Sequence, residues 1–223
     1  YVGIPKTGAV PADTSRRLVH GYYAAVSYMD AQFGRVLEAL RENGFAENTV
    51  VILWGDHGWH LGDHGMWCKH TNYELATRSA LVMSIPGQRT TGRPCERLVE
   101  FVDIYPTLAE VCRLPAPAGV EGYSFAPLLD DPARPWKAAA FSQYPRPGGP
   151  GVGPLMGYAV RSDTHRYVEW RKRDGGEVVA RELYAHRTDP AEDRNAAVAA
   201  NRDVVVALAR RLSEGWRANV PPK

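Results

Sequence analysis

A chain of 223 residues is long enough for one large domain or two small ones with a sizeable core. Its 27 Lys and Arg nearly balance 25 Asp and Glu, and the longest basic run is Arg171–Arg173, so the clustered positive face that nucleic acid requires is missing. No apolar stretch approaches the ~20 residues of a membrane span, and three cysteines without C-x-x-C spacing support neither a disulfide framework nor a cysteine zinc site.

The first residue is Tyr1 rather than Met, so the chain is expected to begin inside a longer protein, and the lack of a leader carries no message. "YVGIPKTGAVPAD" is punctuated by Pro and Gly and reads as a loop. Asp13 or Thr14 is placed to cap a helix running to about Asn43, with Tyr22, Val26, Met29, Phe33, Val36, Leu37 and Leu40 on one face. Asn43-Gly44 stops it. "TVVILW" (Thr49 to Trp54) is a short run of β-branched and aromatic residues, the composition of a central parallel strand. A long helix feeding such a strand predicts an α/β fold.

Directly after the strand comes "GDHGWHLGDHGMWCKH", which crowds Asp56, His57, His60, Asp63, His64, Lys69 and His70 together. Ligands of open α/β sheets bind outside the carboxyl ends of the strands. Asp56 and His57 stand at that tip between Gly55 and Gly58, and their side chains are expected to converge on one crevice as metal ligands. The plainer reading is a polar turn closed by an aspartate hydrogen bond. "HLGDH" is one carboxylate away from the H-x-x-E-H zinc motif, but that motif needs a helix, and Gly58, Gly62 and Gly65 break every turn. His64 is therefore read as a structural residue that fixes the loop. Lys69 is either a solvated surface charge or, if the glycine-rich loop folds back over the strand tip, the partner of an anion held by the metal. Trp54, Trp59 and Trp67 would wall such a pocket.

Farther on, "SALVMSIPG" predicts a strand and "FVDIYPTLAEVCRL" a helix that tolerates Pro106 near its first turn. The texture changes near Asp131, which divides the chain into residues 1–131 and 132–223. In the second part "AAAFSQY", "GYAVRSD", "HRYVEWR" and "EVVARELYA" predict short strands, and "RDVVVALARRLSEGW" a closing amphipathic helix. "RPGGPGVGP" lacks the Lys-Ser/Thr of a phosphate loop and reads as a flexible connection.

Taken in order, "YYAAVSYMDAQFGRVLEAL", "NTVVILWGDHGWHLGDHGMWCKHTNYE", "VDIYPTLAEV", "FSQYPRPGG", "MGYAVRSDTHRYVEW" and "ELYAHRTDPAEDRN" resemble the C-terminal half of sulfatases of the iduronate-2-sulfatase branch. The resemblance implies the C-terminal part of an alkaline-phosphatase-like α/β sandwich, followed by a small α+β subdomain with an antiparallel sheet. Carried over by position, Asp56 and His57 correspond to ligands of a divalent metal, usually Ca2+. Lys69 corresponds to the lysine that holds the substrate sulfate and the leaving oxygen. Trp59 and His70 fall where residues on the sugar side sit. Many relatives have Asn at the place of His57, and imidazole is an unusual ligand for a hard cation, which leaves room for Mn2+ or another divalent ion.

Sulfatases attack sulfur with a formylglycine made from Cys or Ser in a C-x-P-S-R-type motif. Cys68 is followed by "KHT", Cys95 by "ERL" and Cys112 by "RLP", so none fits. The formylglycine, an early Asp-Asp metal pair and the N-terminal half of the same protein are thus expected outside this chain. The resemblance implies a sulfuric ester hydrolase acting on sulfated uronates or other glycosaminoglycan-type sugars, in the periplasm, outside the cell or in lysosomes. A phosphonate or phosphodiester hydrolase of the same superfamily is the alternative. A fragment that only binds polysaccharide is a third reading.

Overall fold

In the computed structural model, which describes residues 5, 7–88, 90–115 and 118–222, helix α1 runs from Ala12 to Glu42. Residues 1–4 and 6 of the expected opening loop lie outside the described residues. The cap is Pro11 rather than Asp13 or Thr14; Pro11 presets the backbone, and Asp13 sits in the first turn, paired with Arg16. At the other end Asn43 Nδ2 donates to the Ala39 carbonyl (2.7 Å), and Gly44 takes φ +74°, which ends the helix. The apolar stripe is present, but no described residue of α1 is buried; Met29 remains 46% and Val36 64% exposed.

The chain forms two compact units, residues 1–69 with 78–87, and residues 70–77 with 88–223. In the first, β1 (Val51–Trp54) follows a single turn at Ala46–Asn48. It pairs with β4 (Leu81–Ser84), and the pairing is antiparallel, Val51 opposite Ser84 and Trp54 opposite Leu81. The expected central parallel strand is thus corrected. An apolar run reports that both faces can be covered, not the direction of the neighbour. Between these strands lies a hairpin of β2 (His60–Leu61) and β3 (Trp67–Cys68).

The second unit opens with the short helix α2 (Glu74–Thr77) and continues through α3 (Ile104–Val111) and α4 (Ala126–Asp130). Pro106 is the third residue of α3, where a missing N–H costs no helical bond. Its larger part is an antiparallel meander of β5 (Ala139–Arg146), β6 (Leu155–Ser162), β7 (His165–Lys172) and β8 (Val178–Ala185). Pro145 is tolerated because β5 is an edge strand. Helix α5 (Arg202–Glu214) packs on one face, where Ala139, Val160, Tyr167, Leu183 and Leu208 form the core. The carboxylates of Glu100 and Asp103 both meet buried Lys137 Nζ at 2.6 Å, which ties the start of α3 to the root of β5.

Candidate active site

The end of β1 is clamped before the charged turn begins. Gly55 N donates to the Ala80 carbonyl (3.0 Å), and its carbonyl accepts from Ser79 Oγ (2.6 Å). A Cβ at Gly55 would lie 3.3 Å from Ser79 Cβ, so this tight approach favours glycine. The Asp56 side chain beyond it is 85% exposed and that of His57 25%. His57 Nδ1 lies 2.8 Å from the Gly58 carbonyl. A carbonyl only accepts, so Nδ1 carries a proton, and Nε2 is the ring nitrogen that faces Asp56 Oδ2, 3.4 Å away. Two acceptors face each other stably only across a proton or a cation. Metal-binding imidazoles are held in this way, with the far nitrogen bonded to a carbonyl. The donor set therefore fits a divalent cation, although one carboxylate and one imidazole fall short of the six to eight oxygens that Ca2+ takes.

The hairpin explains how Lys69 returns to this place. His60 pairs with Cys68 and Leu61 with Trp67, so the residues just outside the ladder, Trp59 and Lys69, come together. Lys69 Nζ stands 5.9 Å from the centre of the Trp59 ring. That ring stacks on His57 (5.7 Å, 26°) and on Tyr22 of α1 (6.0 Å, 25°). Asp56, His57, Trp59 and Lys69 thus form one run of contacts. Tyr22 joins it, a residue the helical periodicity assigns to a core face. The hairpin tip depends on left-handed backbone at Gly62 (φ +111°), His64 (φ +56°) and Gly65 (φ +68°). Asp63 Oδ2 accepts from Leu61 N (3.0 Å) across the same tip. His64 and His60 face each other edge-on at 6.2 Å, but on a hairpin and not on the helix a zinc motif needs.

Trp54 is 47% exposed, whereas the Trp67 ring lies against Gly62. His70 belongs to the second unit, where it stacks on Tyr144 (5.4 Å, 13°).

The segment 70–77 that follows Lys69 is fastened to the face of the meander away from α5. Asn72 Nδ2 donates to the Gly157 carbonyl (3.0 Å), and Glu74 N to Glu192 Oε2 (2.7 Å). Glu74 pairs with Arg166 and with Arg161 (3.1 Å), while Glu192 Oε1 takes both Arg166 Nε and His186 Nε2 at 2.7 Å. Glu74, His186 and Glu192 are close enough together to hold a metal. Here the two arginines already supply the countercharge, and the cluster is an ion-pair network. Burial opposes ionisation of both carboxyls, but Arg166 and Arg161 at Glu74, and His186 and Arg166 at Glu192, outweigh it and hold both below the ordinary value. None of this network was visible in the sequence pattern, since its members are spread over three separate stretches.

The family described as "Sulfatase" matches residues 5–113, and that described as "N-sulphoglucosamine sulphohydrolase, C-terminal" matches residues 62–217. Iduronate 2-sulfatase of Mus musculus is 32% identical over 249 residues, covering 84% of this chain and 45% of the relative. A solved protein in complex with its substrate D-glucosamine-2-N,6-O-disulfate is 28% identical, with a TM-score of 0.75 over 86% of this chain and 39% of its own. The phosphonate monoester hydrolase of Silicibacter pomeroyi is 26% identical, with a TM-score of 0.81 over 98% of this chain and 44% of its own. The chain thus spans about half the length of the relatives it matches, and its α/β architecture is that of the alkaline-phosphatase-like fold.

Proposed function

The chain belongs to the sulfatase family, and from that premise we propose that the parent protein is a sulfuric ester hydrolase that removes sulfate from sulfated, glycosaminoglycan-type sugars. The observation that carries the reading is the run of Asp56, His57, Trp59 and Lys69, with His57 Nε2 turned toward Asp56 Oδ2 at 3.4 Å. Asp56 and His57 would hold the divalent cation, Ca2+ by resemblance. When bound, such an ion neutralises charge on the sulfate oxygens and makes sulfur easier to attack. Lys69 donates its N–H groups to the sulfate and to the leaving oxygen, where negative charge grows in the transition state. The Trp59 ring beneath it excludes water and presents a flat apolar face to the sugar. His70 serves the sugar side, and His64 holds the hairpin tip.

No cysteine of this chain sits in the nucleophile motif, so the formylglycine is assigned to the part of the parent outside these residues. That part would also supply the remaining metal ligands and cover the exposed stripe of α1. Residues 1–131 then complete the catalytic domain, and 132–223 form the C-terminal subdomain. Family resemblance points to a periplasmic, secreted or lysosomal setting; no described helix is long and apolar enough to cross a membrane.

Turnover of a chromogenic aryl sulfate by the parent, matured with a formylglycine-generating enzyme, tests this. Chelation should abolish it and Ca2+ restore it. Lys69→Ala should lower kcat on the order of a hundredfold while KM moves little. The 223-residue chain alone, with Ca2+, should turn over nothing. Activity of that chain, or wild-type kcat in Lys69→Ala, overturns the assignment. The likeness to a phosphonate monoester hydrolase over 98% of the chain favours a second reading, since a cation and a lysine serve any tetrahedral anion. A larger kcat/KM for a phenyl phosphonate monoester than for the aryl sulfate would decide for it.

A further inference from the structure

Among residues 21–30 of α1, only Tyr22 is not exposed. Val26 and Met29, farther along the same apolar stripe, remain 42% and 46% exposed, so Tyr22 is not shielded by a core that it shares with them. The ring that meets it from outside the helix is Trp59, stacked at 6.0 Å and 25°. Tyr23, the next residue, touches the Tyr22 ring edge-on at 6.1 Å.

Trp59 joins the two sides of the candidate site. Its ring stacks on His57 (5.7 Å, 26°) and lies 5.9 Å from Lys69 Nζ. Neither neighbour offers a fixed reference. The His57 ring is tied to its own turn through the Gly58 carbonyl, and Lys69 carries a point charge on a flexible four-carbon stem. The hairpin behind Trp59 and Lys69 has only the pairs His60–Cys68 and Leu61–Trp67, too few to hold their own place. The rigid element within reach is α1, whose interior carries Tyr22, and a reactive constellation keeps its geometry better when a helix seats it than when loops do. Aromatic pairs also prefer defined orientations, so the Tyr22 ring constrains the tilt of the indole as well as its position.

We propose that Tyr22 is a positioning residue of this site: by stacking on Trp59 it fixes the indole against His57 and Lys69, and so sets the spacing between the metal ligands and the lysine. The inference rests on the reading of the parent as a sulfatase and adds to it a residue on α1 that acts through another side chain. Stacking uses the ring face, so the ring carries the effect and the hydroxyl does not.

Two measurements on the full-length parent, matured with a formylglycine-generating enzyme, provide the test. One is kcat on the chromogenic aryl sulfate. The other is the dissociation constant of Ca2+, by calorimetry on chelator-treated protein. Tyr22→Leu should lower kcat about tenfold and weaken Ca2+ binding about threefold, the size expected for loss of an oriented aromatic contact. KM should move little, because this small substrate lacks the sugar that Trp59 faces. Tyr22→Phe should restore both values to within about twofold of wild type, since the stack is kept. Trp59→Leu should lower both as well, and adding Tyr22→Leu to it should change nothing further, because the effect of Tyr22 runs through the indole. A tyrosine that only packed α1 would cost as much in the Trp59→Leu background as in wild type, and that outcome overturns the proposal. So does wild-type kcat with wild-type Ca2+ affinity in Tyr22→Leu. A Tyr22→Phe variant as impaired as Tyr22→Leu would place the effect on the hydroxyl and overturn it too. If Tyr22→Leu does not fold, Tyr22→Met takes its place in the cycle. Failure of the parent to cleave any sulfate ester would sink the sulfatase reading and leave the Ca2+ measurements to judge Tyr22.

Discussion

A methyl group added at position 157 would sit 2.7 Å from both the Trp170 ring and the Asn72 amide, closer than real side chains come. Gly157→Ala must therefore move the indole, the amide or the strand. Overpacking of this kind costs about 1–3 kcal/mol, and the urea midpoint should fall accordingly. The near-ultraviolet circular dichroism of the tryptophans should change with it. A midpoint within error of wild type would mean that Trp170 does not lie across β6. The same residue shows what the sequence can and cannot display. "MGY" stands out as a pattern, but the need for glycine arises from a ring on another strand. Asp56, His57 and Lys69 stand out in the sequence as candidates because they follow an apolar run and stand among glycines. The proton on His57 Nδ1 does not, because it is set by a carbonyl whose direction depends on the folded turn.

At the scale of elements, the segment 70–77 has little to hold it by itself. Its helix α2 is four residues long, too short to be stable alone. What fixes it is the network that Glu74 makes with Arg161, Arg166 and Glu192 on the meander. Arg166 is the centre of that network, with a side chain only 2% exposed. Arg166→Met keeps the volume but leaves two buried carboxylates without their shared cation, which costs about 3–5 kcal/mol. Denaturant unfolding should register that loss. Replacing Glu74 and Glu192 by Gln in the same chain should return part of it, because the uncompensated charges are then gone. No recovery in the triple variant would mean that Arg166 acts through packing alone. Periodicity found α1, the four strands of the meander and α5, since each buries or lines up a face at a regular repeat. It misjudged β1, whose composition could not reveal an antiparallel partner, and it could not see that the apolar stripe of α1 stays uncovered among the described residues.

For the molecule as a whole, charge is too nearly balanced for general repulsion to govern stability near neutral pH, with a formal net charge of +2. Specific buried groups set the pH response instead. Glu74 and Glu192 are held below their ordinary value of 4.5, because Arg166, Arg161 and His186 outweigh the cost of burial. A carboxyl whose folded pKa is depressed stabilises the fold fully above its unfolded pKa, and that contribution disappears as pH falls through the folded pKa. Loss should therefore set in below pH 4.5 and deepen as the acid is strengthened. His165 adds an earlier and gentler step. Burial, with His186 and Arg161 nearby, lowers its pKa from 6.5, so the unfolded chain takes up a proton first as pH drops below that value. Each group that differs by a full proton between the two states adds a slope of about 1.4 kcal/mol per pH unit. Unfolding free energies of the full-length protein, measured in urea from pH 8 to pH 3, should be flat at first, bend slightly below 6.5 and fall steeply below 4.5. In Arg166→Met the steep step should shrink, because burial without the guanidinium no longer keeps the carboxyls depressed. A steep step of the same size in that variant would show that other carboxylates govern the acid response, and that the network between segment 70–77 and the meander is held by something other than its charges.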